Sequence, residues 1–210
     1  MPLIKTITNA FNSTVYVWNI QESEAWLRSG IELNQNSINR LFTMSSELHR
    51  RGFLSIRHLL DAAGYNDHDL FYDDHGKPHL RDGRNISITH SFEYTAVIVS
   101  DVATGIDIEK QREKIKRIAI KFIGYEKEYL SQSLNEVEDL TVIWGAKESM
   151  YKSISKKGLG FKEHCKVSKF EQKDQKTTCK AVFEGNTWHY EAFFTSFEDF
   201  TLVYILPATA

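Results

Sequence analysis

Strand-like runs come in blocks along this chain, and that pattern constrains the fold more than any other feature. ISITH (86–90), YTAVIVSD (94–101) and TGIDIE (104–109) follow one another. Four more β-type runs, near 165–170, 177–184, 187–194 and 200–205, close the sequence. An earlier run, STVYVWNI (13–20), alternates in the same way and is rich in β-branched and aromatic residues. Helical patterns lie between the blocks. Residues 39–63 carry Leu41, Met44, Leu48 and Leu59 at helical spacing, with Gly64 as the C-cap. IKRIAIKFIG (115–124) places Ile115, Ile118, Ala119 and Phe122 on one face, and 136–152 reads as a longer helix. FYDDHGKPHL (71–80) is turn chemistry, and Gly158 and Gly160 mark another turn or a mobile loop. This is the α+β class. Two halves are expected, residues 1–103 and 104–210, each mixing helix with strands.

With 210 residues the chain can form one large domain or two small ones. Lys and Arg number 26 against 28 Asp and Glu, a net charge of −2, so any surface for a polyanion such as nucleic acid must be local. The two cysteines, Cys165 and Cys179, form no CxxC and are too few for a disulfide scaffold, which points to a reducing, cytoplasmic compartment. A zinc site from His164, Cys165, Cys179 and His189 would have a spacing unlike the usual ones. MPLIKTITNAFNST has no basic stretch followed by an apolar run, so no signal peptide is read. No apolar run approaches the roughly 20 residues of a membrane span.

The chemistry sits in two short stretches. In a strand, residues i and i+2 face the same side. In GIDIE (105–109) that puts Asp107 and Glu109 together, with Ile106 and Ile108 facing away. Paired carboxylates repel unless a cation lies between them, and an oxygen-only ligand set suits Mg²⁺. The plainer reading is a solvated strand face. The second stretch is WGAKESMYK (144–152). On a helix over 137–152, Val137, Leu140, Thr141, Trp144 and Tyr151 share one face, Glu148 falls near its middle, and Lys147 and Lys152 flank it. A carboxylate in a buried stripe is costly unless it is paired or bound to metal. A surface pair of Glu148 with Lys152 is worth only about 0.2–0.5 kcal/mol and does not explain an inward acid. Three acids and two lysines describe a site for a metal-bound phosphate ester.

The ordered set GKP (76–78), ITHS (88–91), GIDIE and, about 35 residues after it, WGAKESMYK resembles the 4′-phosphopantetheinyl transferase superfamily, in its long type with two halves. The resemblance implies a pseudo-dimeric fold of two similar halves, each with helix and antiparallel sheet, in a monomer. It implies coenzyme A bound between the halves, its phosphopantetheine arm passing to a serine of an acyl or peptidyl carrier protein, and adenosine 3′,5′-bisphosphate as the other product. By motif, Asp107, Glu109 and Glu148 would hold Mg²⁺, or Mn²⁺, with the pyrophosphate of coenzyme A. Glu148 would also serve as base for the carrier serine. Lys152 would assist the leaving phosphate, with Lys147 nearby. Lys77 would approach the 3′-phosphate and His90 the phosphates. Thr89 replaces the family's usual serine and keeps the hydroxyl. An arginine of the first-half helix, Arg50, Arg51 or Arg57, would bind the 3′-phosphate; Arg28 and Arg40 are further basic candidates.

Other readings stay beside this one. A Ser–His dyad at His90 and Ser91 is disfavoured because neighbours in a strand face opposite ways. KQREKIKRIAIK (110–121) has six basic residues and one acid, as a solvated helix face or a landing surface for an acidic carrier protein. WHYEAFF (188–194) reads as sheet core. A Mg²⁺-dependent phosphodiesterase would use similar acids but predicts a broad basic surface. A non-catalytic relative predicts loss of an acid or lysine, and all are present.

Overall fold

The computed structural model describes residues 3–131 and 133–209. It divides into two compact units, Met1–Val102 and Ala103–Ala210. The first unit runs β1 (Leu3–Asn9), β2 (Ser13–Asn19), α1 (Glu24–Arg28), α2 (Gln35–Thr43), α3 (Glu47–Ala62), β3 (Leu70–Tyr72), β4 (Pro78–Leu80), β5 (Asn85–Ser91) and β6 (Tyr94–Ser100). Its main sheet has the order β1-β2-β6-β5, every neighbour antiparallel. Val15 and Val17 of β2 are buried, as its alternation predicts. Leu54, Ile56, Leu59 and Leu60 of α3 share one core with Trp18, Ile86, Val97 and Val99 of the sheet.

The single helix expected over 39–63 is two helices. α2 starts earlier, where the Asn34 side chain accepts a hydrogen bond from Ser37 N, and ends at an extended Met44. Ser46 then caps α3 by accepting from His49 N at 3.4 Å. A serine hydroxyl serves the unpaired N–H groups of a helix start well, and apolar spacing on both sides of the break hides it from a periodicity count. Gly64, with φ +85°, ends α3 as expected. The stretch 71–80 is a hairpin, β3 pairing with β4 around the turn. Asp73 Oδ1 accepts from His75 N and Lys77 N, both at 2.9 Å, and shapes that turn. β1 has no counterpart among the strands read from the sequence. Half-buried and exposed positions alternate along it, but Lys5 and Asn9 fall on the half-buried side and Ile4 on the exposed one, so the residue types do not show it.

The second unit runs β7 (Gly105–Lys110), α4 (Lys114–Ile118), α5 (Lys127–Leu130), α6 (Glu136–Ile154), α7 (Phe161–His164), β8 (Cys165–Val167), β9 (Lys176–Phe183), β10 (Asn186–Phe197) and β11 (Phe200–Pro207). The sheet order is β7-β11-β10-β9-β8, again antiparallel throughout. Val142, Ile143, Ala146 and Met150 of α6 join Ala181, Ala192, Phe194, Val203 and Ile205 of the sheet in its core. The helix expected over 115–124 is shorter. α4 gives way to a 3₁₀ turn at Ala119–Lys121, where Phe122 N reaches back to Ala119 O at 3.0 Å. Ala119 and Phe122 are buried and Ile115 and Ile118 pack at the margin, so the apolar face is the expected one. Among the described residues, no helix is long and apolar enough to cross a membrane.

Candidate active site

Two glycines let α6 lie unusually close to the sheet. A Cβ on Gly105 would fall on the carbonyl oxygen of Ser149. A Cβ on Gly145 would stand 2.7 Å from Val203 Cγ2, and only 3.9 Å from the Cβ of Asp107. The backbone of α6 is thus pressed against β7 and its neighbour β11, with Glu148 carried down beside the strand acids. Neither glycine's role was visible in sequence, because close approach is a property of the packed pair and not of either segment.

β7 pairs with β11, Asp107 opposite Val203 and Glu109 opposite Thr201. Ile106 and Ile108 are buried, as is Asp107, while Glu109 is half-buried. Lys152 donates from Nζ to Ile106 O and to Asp107 Oδ1, both at 2.8 Å. Glu148 is half-buried. Its pKa is pushed up to about 7, first by burial, then by the negative charge of Asp107; Glu109 adds to the rise and Lys152 opposes it. Asp107, Glu109, Glu148 and Lys152 therefore form one electrostatic cluster.

The stripe that contained Glu148 is not the deep side of α6. Leu140 and Thr141 are buried, but Trp144 is half-buried and Tyr151 is 40% exposed. Val142, Ile143, Ala146, Lys147, Ser149 and Met150 are fully enclosed. α6 is covered on most sides, so a helical wheel finds no clear inner face; Glu148 looks out from the margin.

Lys147 is a correction of a different kind. It points away from the cluster and is completely buried, its Nζ 2.9 Å from Glu126 Oε1 and bonded to Phe122 O at 2.7 Å and Phe161 O at 3.1 Å. Burial lowers its pKa, against the pull of Glu126. One residue is about 100° of helix, enough to separate the roles of Lys147 and Glu148.

The acid cluster fits a hard divalent cation by its chemistry: three carboxylates and no nitrogen or sulfur donor. Burial first, and then the charge of Asp107, disfavours an ionised Glu148, and a cation would relieve both. Among the described residues no three His, Cys, Asp or Glu side chains already stand gathered for a metal, and the Lys152 ammonium lies against Asp107. Cys165 and Cys179 are both buried, and burial raises both thiols, Cys165 to about 11.

A groove of about 160 Å³ adjoins the cluster, lined by Glu109, Lys110, Arg112, Lys114, Ile115, Ile118 and Trp144. Its lining is apolar at Ile115, Ile118 and Trp144, basic at Lys110, Arg112 and Lys114, and acidic at Glu109. Part of the basic run 110–121 therefore faces a groove, while Lys116 pairs with Glu113 and Glu136.

The first-unit residues meet varied fates. Arg57 is buried, with Nε 2.8 Å from Asp67 Oδ1 and further bonds to Phe53 O and Ser37 Oγ. Arg50 holds Glu24 and the carbonyls of Met44 and Ser45, and Arg51 holds those of Glu22 and Ile20. Arg50 and Arg57, two of the sequence's candidates for the 3′-phosphate, thus both bond to groups of their own unit. Arg40 lies over the rings of Phe53 and Tyr72 and, with Arg81 and His68, lines a hollow of about 540 Å³ that contains none of the acid cluster. Arg28 closes the last turn of α1. Lys77 is half-buried, its pKa lowered by burial and supported by Asp73. Thr89 and His90, consecutive on β5, face opposite ways: Thr89 is buried and His90 is exposed.

A model of the 4′-phosphopantetheinyl transferase superfamily matches residues 103–204, nearly the whole second unit. The second unit therefore belongs to the 4′-phosphopantetheinyl transferase superfamily. The span matched to the superfamily contains Asp107, Glu109, Lys147, Glu148 and Lys152; Lys77, Thr89, His90, Arg50 and Arg57 precede it. Among solved structures, holo-[acyl-carrier-protein] synthase of Thermotoga maritima is similar at 15% identity and a TM-score of 0.44, over 52% of this chain and 64% of that one. The match thus takes in less than two thirds of that synthase. No curated protein matches the chain.

Proposed function

We propose that this protein transfers the 4′-phosphopantetheine arm of coenzyme A to a serine of an acyl or peptidyl carrier protein. The observation that carries the reading is the cluster of Asp107, Glu109, Glu148 and Lys152, gathered by α6 and β7 inside the span matched to the superfamily. In the proposed reaction the serine oxygen attacks the β-phosphorus of coenzyme A. A new P–O bond forms, and the bond from that phosphorus to the bridging oxygen breaks. Adenosine 3′,5′-bisphosphate leaves with the electron pair.

Glu148 takes the serine proton. Lys152, anchored on Ile106 O and Asp107, offers its positive charge to the departing phosphate. Asp107, Glu109 and Glu148 are the residues that would hold Mg²⁺ or Mn²⁺, which when bound would neutralise pyrophosphate charge. Lys77, Thr89 and His90 are the first unit's proposed contribution to coenzyme A. The two buried free thiols suit a reducing compartment, the cytoplasm.

Incubation with coenzyme A, Mg²⁺ and a panel of apo carrier proteins, followed by mass spectrometry of each carrier, tests this. The expected result is a carrier heavier by one phosphopantetheine group. No gain on any apo carrier that a known transferase can load would overturn it.

A further inference from the structure

Lys147 and Glu126 are each completely buried, yet neither joins the acid cluster. All three ammonium protons of Lys147 are spent, on Phe122 O (2.7 Å), Phe161 O (3.1 Å) and Glu126 Oε1 (2.9 Å). Glu126 Oε1 also accepts from Val167 N at 2.9 Å, and Oε2 accepts from Gly124 N at 3.1 Å. One ion pair thereby ties α6 to the 122–126 segment, to the start of α7 and to β8. Stability alone does not call for charge here, since apolar side chains of similar volume often replace a buried pair without loss. The pair adds direction. A leucine fills space at many rotations of its helix, whereas an ammonium with three fixed acceptors allows one.

That direction matters at the site. With Lys147 held inward, Glu148 stands about 100° further round α6, on the half-open side where it senses Asp107. The two carbonyls that Lys147 grips belong to the residues whose rings flank Trp144 edge-on, Phe122 at 5.1 Å and Phe161 at 5.4 Å between centroids. Trp144 lines the groove beside Glu109. We propose that the Lys147–Glu126 pair is a positioning device: it sets the rotation of α6 and the seat of Trp144, and so the geometry of the acid cluster and its groove, without touching substrate. Its consequence for turnover rests on the transfer reading.

The test is the double variant Lys147→Met/Glu126→Gln, which removes both charges and leaves no lone buried ion. Two readouts are followed: transfer kinetics, and the indole N–H NMR signal of Trp144, assigned by its disappearance in Trp144→Phe. At a melting temperature close to the parent's, kcat falls at least about tenfold, as misplacement of reacting groups costs, KM for coenzyme A stays within about threefold, and the Trp144 signal moves. Parent kcat with an unmoved signal overturns the proposal. Should the double variant not fold, Lys147→Arg decides. It keeps the charge but cannot direct three donors to the same three acceptors, so a lower kcat with a moved Trp144 signal supports the proposal and parent values overturn it. If the unsubstituted protein loads no carrier, the transfer reading fails, and the Trp144 signal alone settles the positioning role.

Discussion

Both units lay a long helix on an antiparallel sheet, and they use the polar residues of that helix in opposite ways. On α3, Arg50, Arg51 and Arg57 turn back to carboxylates and carbonyls of their own unit and hold it together. On α6, Glu148 and Lys152 turn towards acids on a neighbouring strand. Spacing between helix and sheet differs as well. A Cβ on Gly52 of α3 would meet Thr95 and Ile20 at 3.9 and 4.0 Å, ordinary contact distances, whereas Gly105 and Gly145 leave no such room. Close approach in the second unit brings carboxylates together at a cost in repulsion, which is what the proposed function would use.

The sharpest way to break this contrast is Glu148→Gln. Loss of a general base costs about 10²- to 10⁴-fold in rate, so transfer should fall at least a hundredfold on that scale while the melting temperature holds. Chelation of divalent cations should stop transfer too, with Mg²⁺ restoring it. Turnover at the parent rate in Glu148→Gln would dissolve the distinction between the two helices. Arg57→Ala should do the reverse. It strands Asp67 as a buried unpaired charge, a loss of about 3–5 kcal/mol, visible in denaturant unfolding. Next comes Gly105→Ala, which drives a methyl into the α6 backbone and should cost about 3 kcal/mol, the upper end of overpacking. Gly52→Ala, at the corresponding helix in the first unit, should instead stabilise by about 0.5–1 kcal/mol, as alanine does in a helix interior. Equal effects at Gly52 and Gly105 would mean that the two helices sit on their sheets alike.

The smallest effect is one of pH. Asp73, in the turn between β3 and β4, has its pKa lowered from 3.8 to about 2, first by the His79 hydrogen bond and then by Lys77 N. A folded-state value below the unfolded one stabilises at pH above about 4 and is lost as pH falls towards 2. NMR shifts of the 73–77 turn should follow that descent, and Asp73→Asn should flatten it.

Much of this was legible in the residues themselves. The β-type runs fall on β2, β5, β6, β7 and the last four strands because alternation, or in β6 and β11 a short continuous run, of β-branched and aromatic side chains leaves few other options. The acid pair of GIDIE could be put on one strand face from the two-residue repeat alone. What stayed hidden depends on neighbours distant in sequence. The inward turn of Lys147 answers to carbonyls at Phe122 and Phe161. The helix break at Ser46 answers to a cap that periodicity does not register. The enclosure of α6 on most sides erased the amphipathic signal that would have located Glu148 at its margin.

Cys165 and Cys179 have a practical corollary. Both sulfurs lie out of reach, and burial keeps their protons on well above neutral pH, so alkylating reagents should pass them by while the protein stays folded. A single new cysteine placed beside the Trp144 groove could then carry a fluorophore or spin label without prior removal of the native pair, and the proposed docking of a carrier protein could be tested directly.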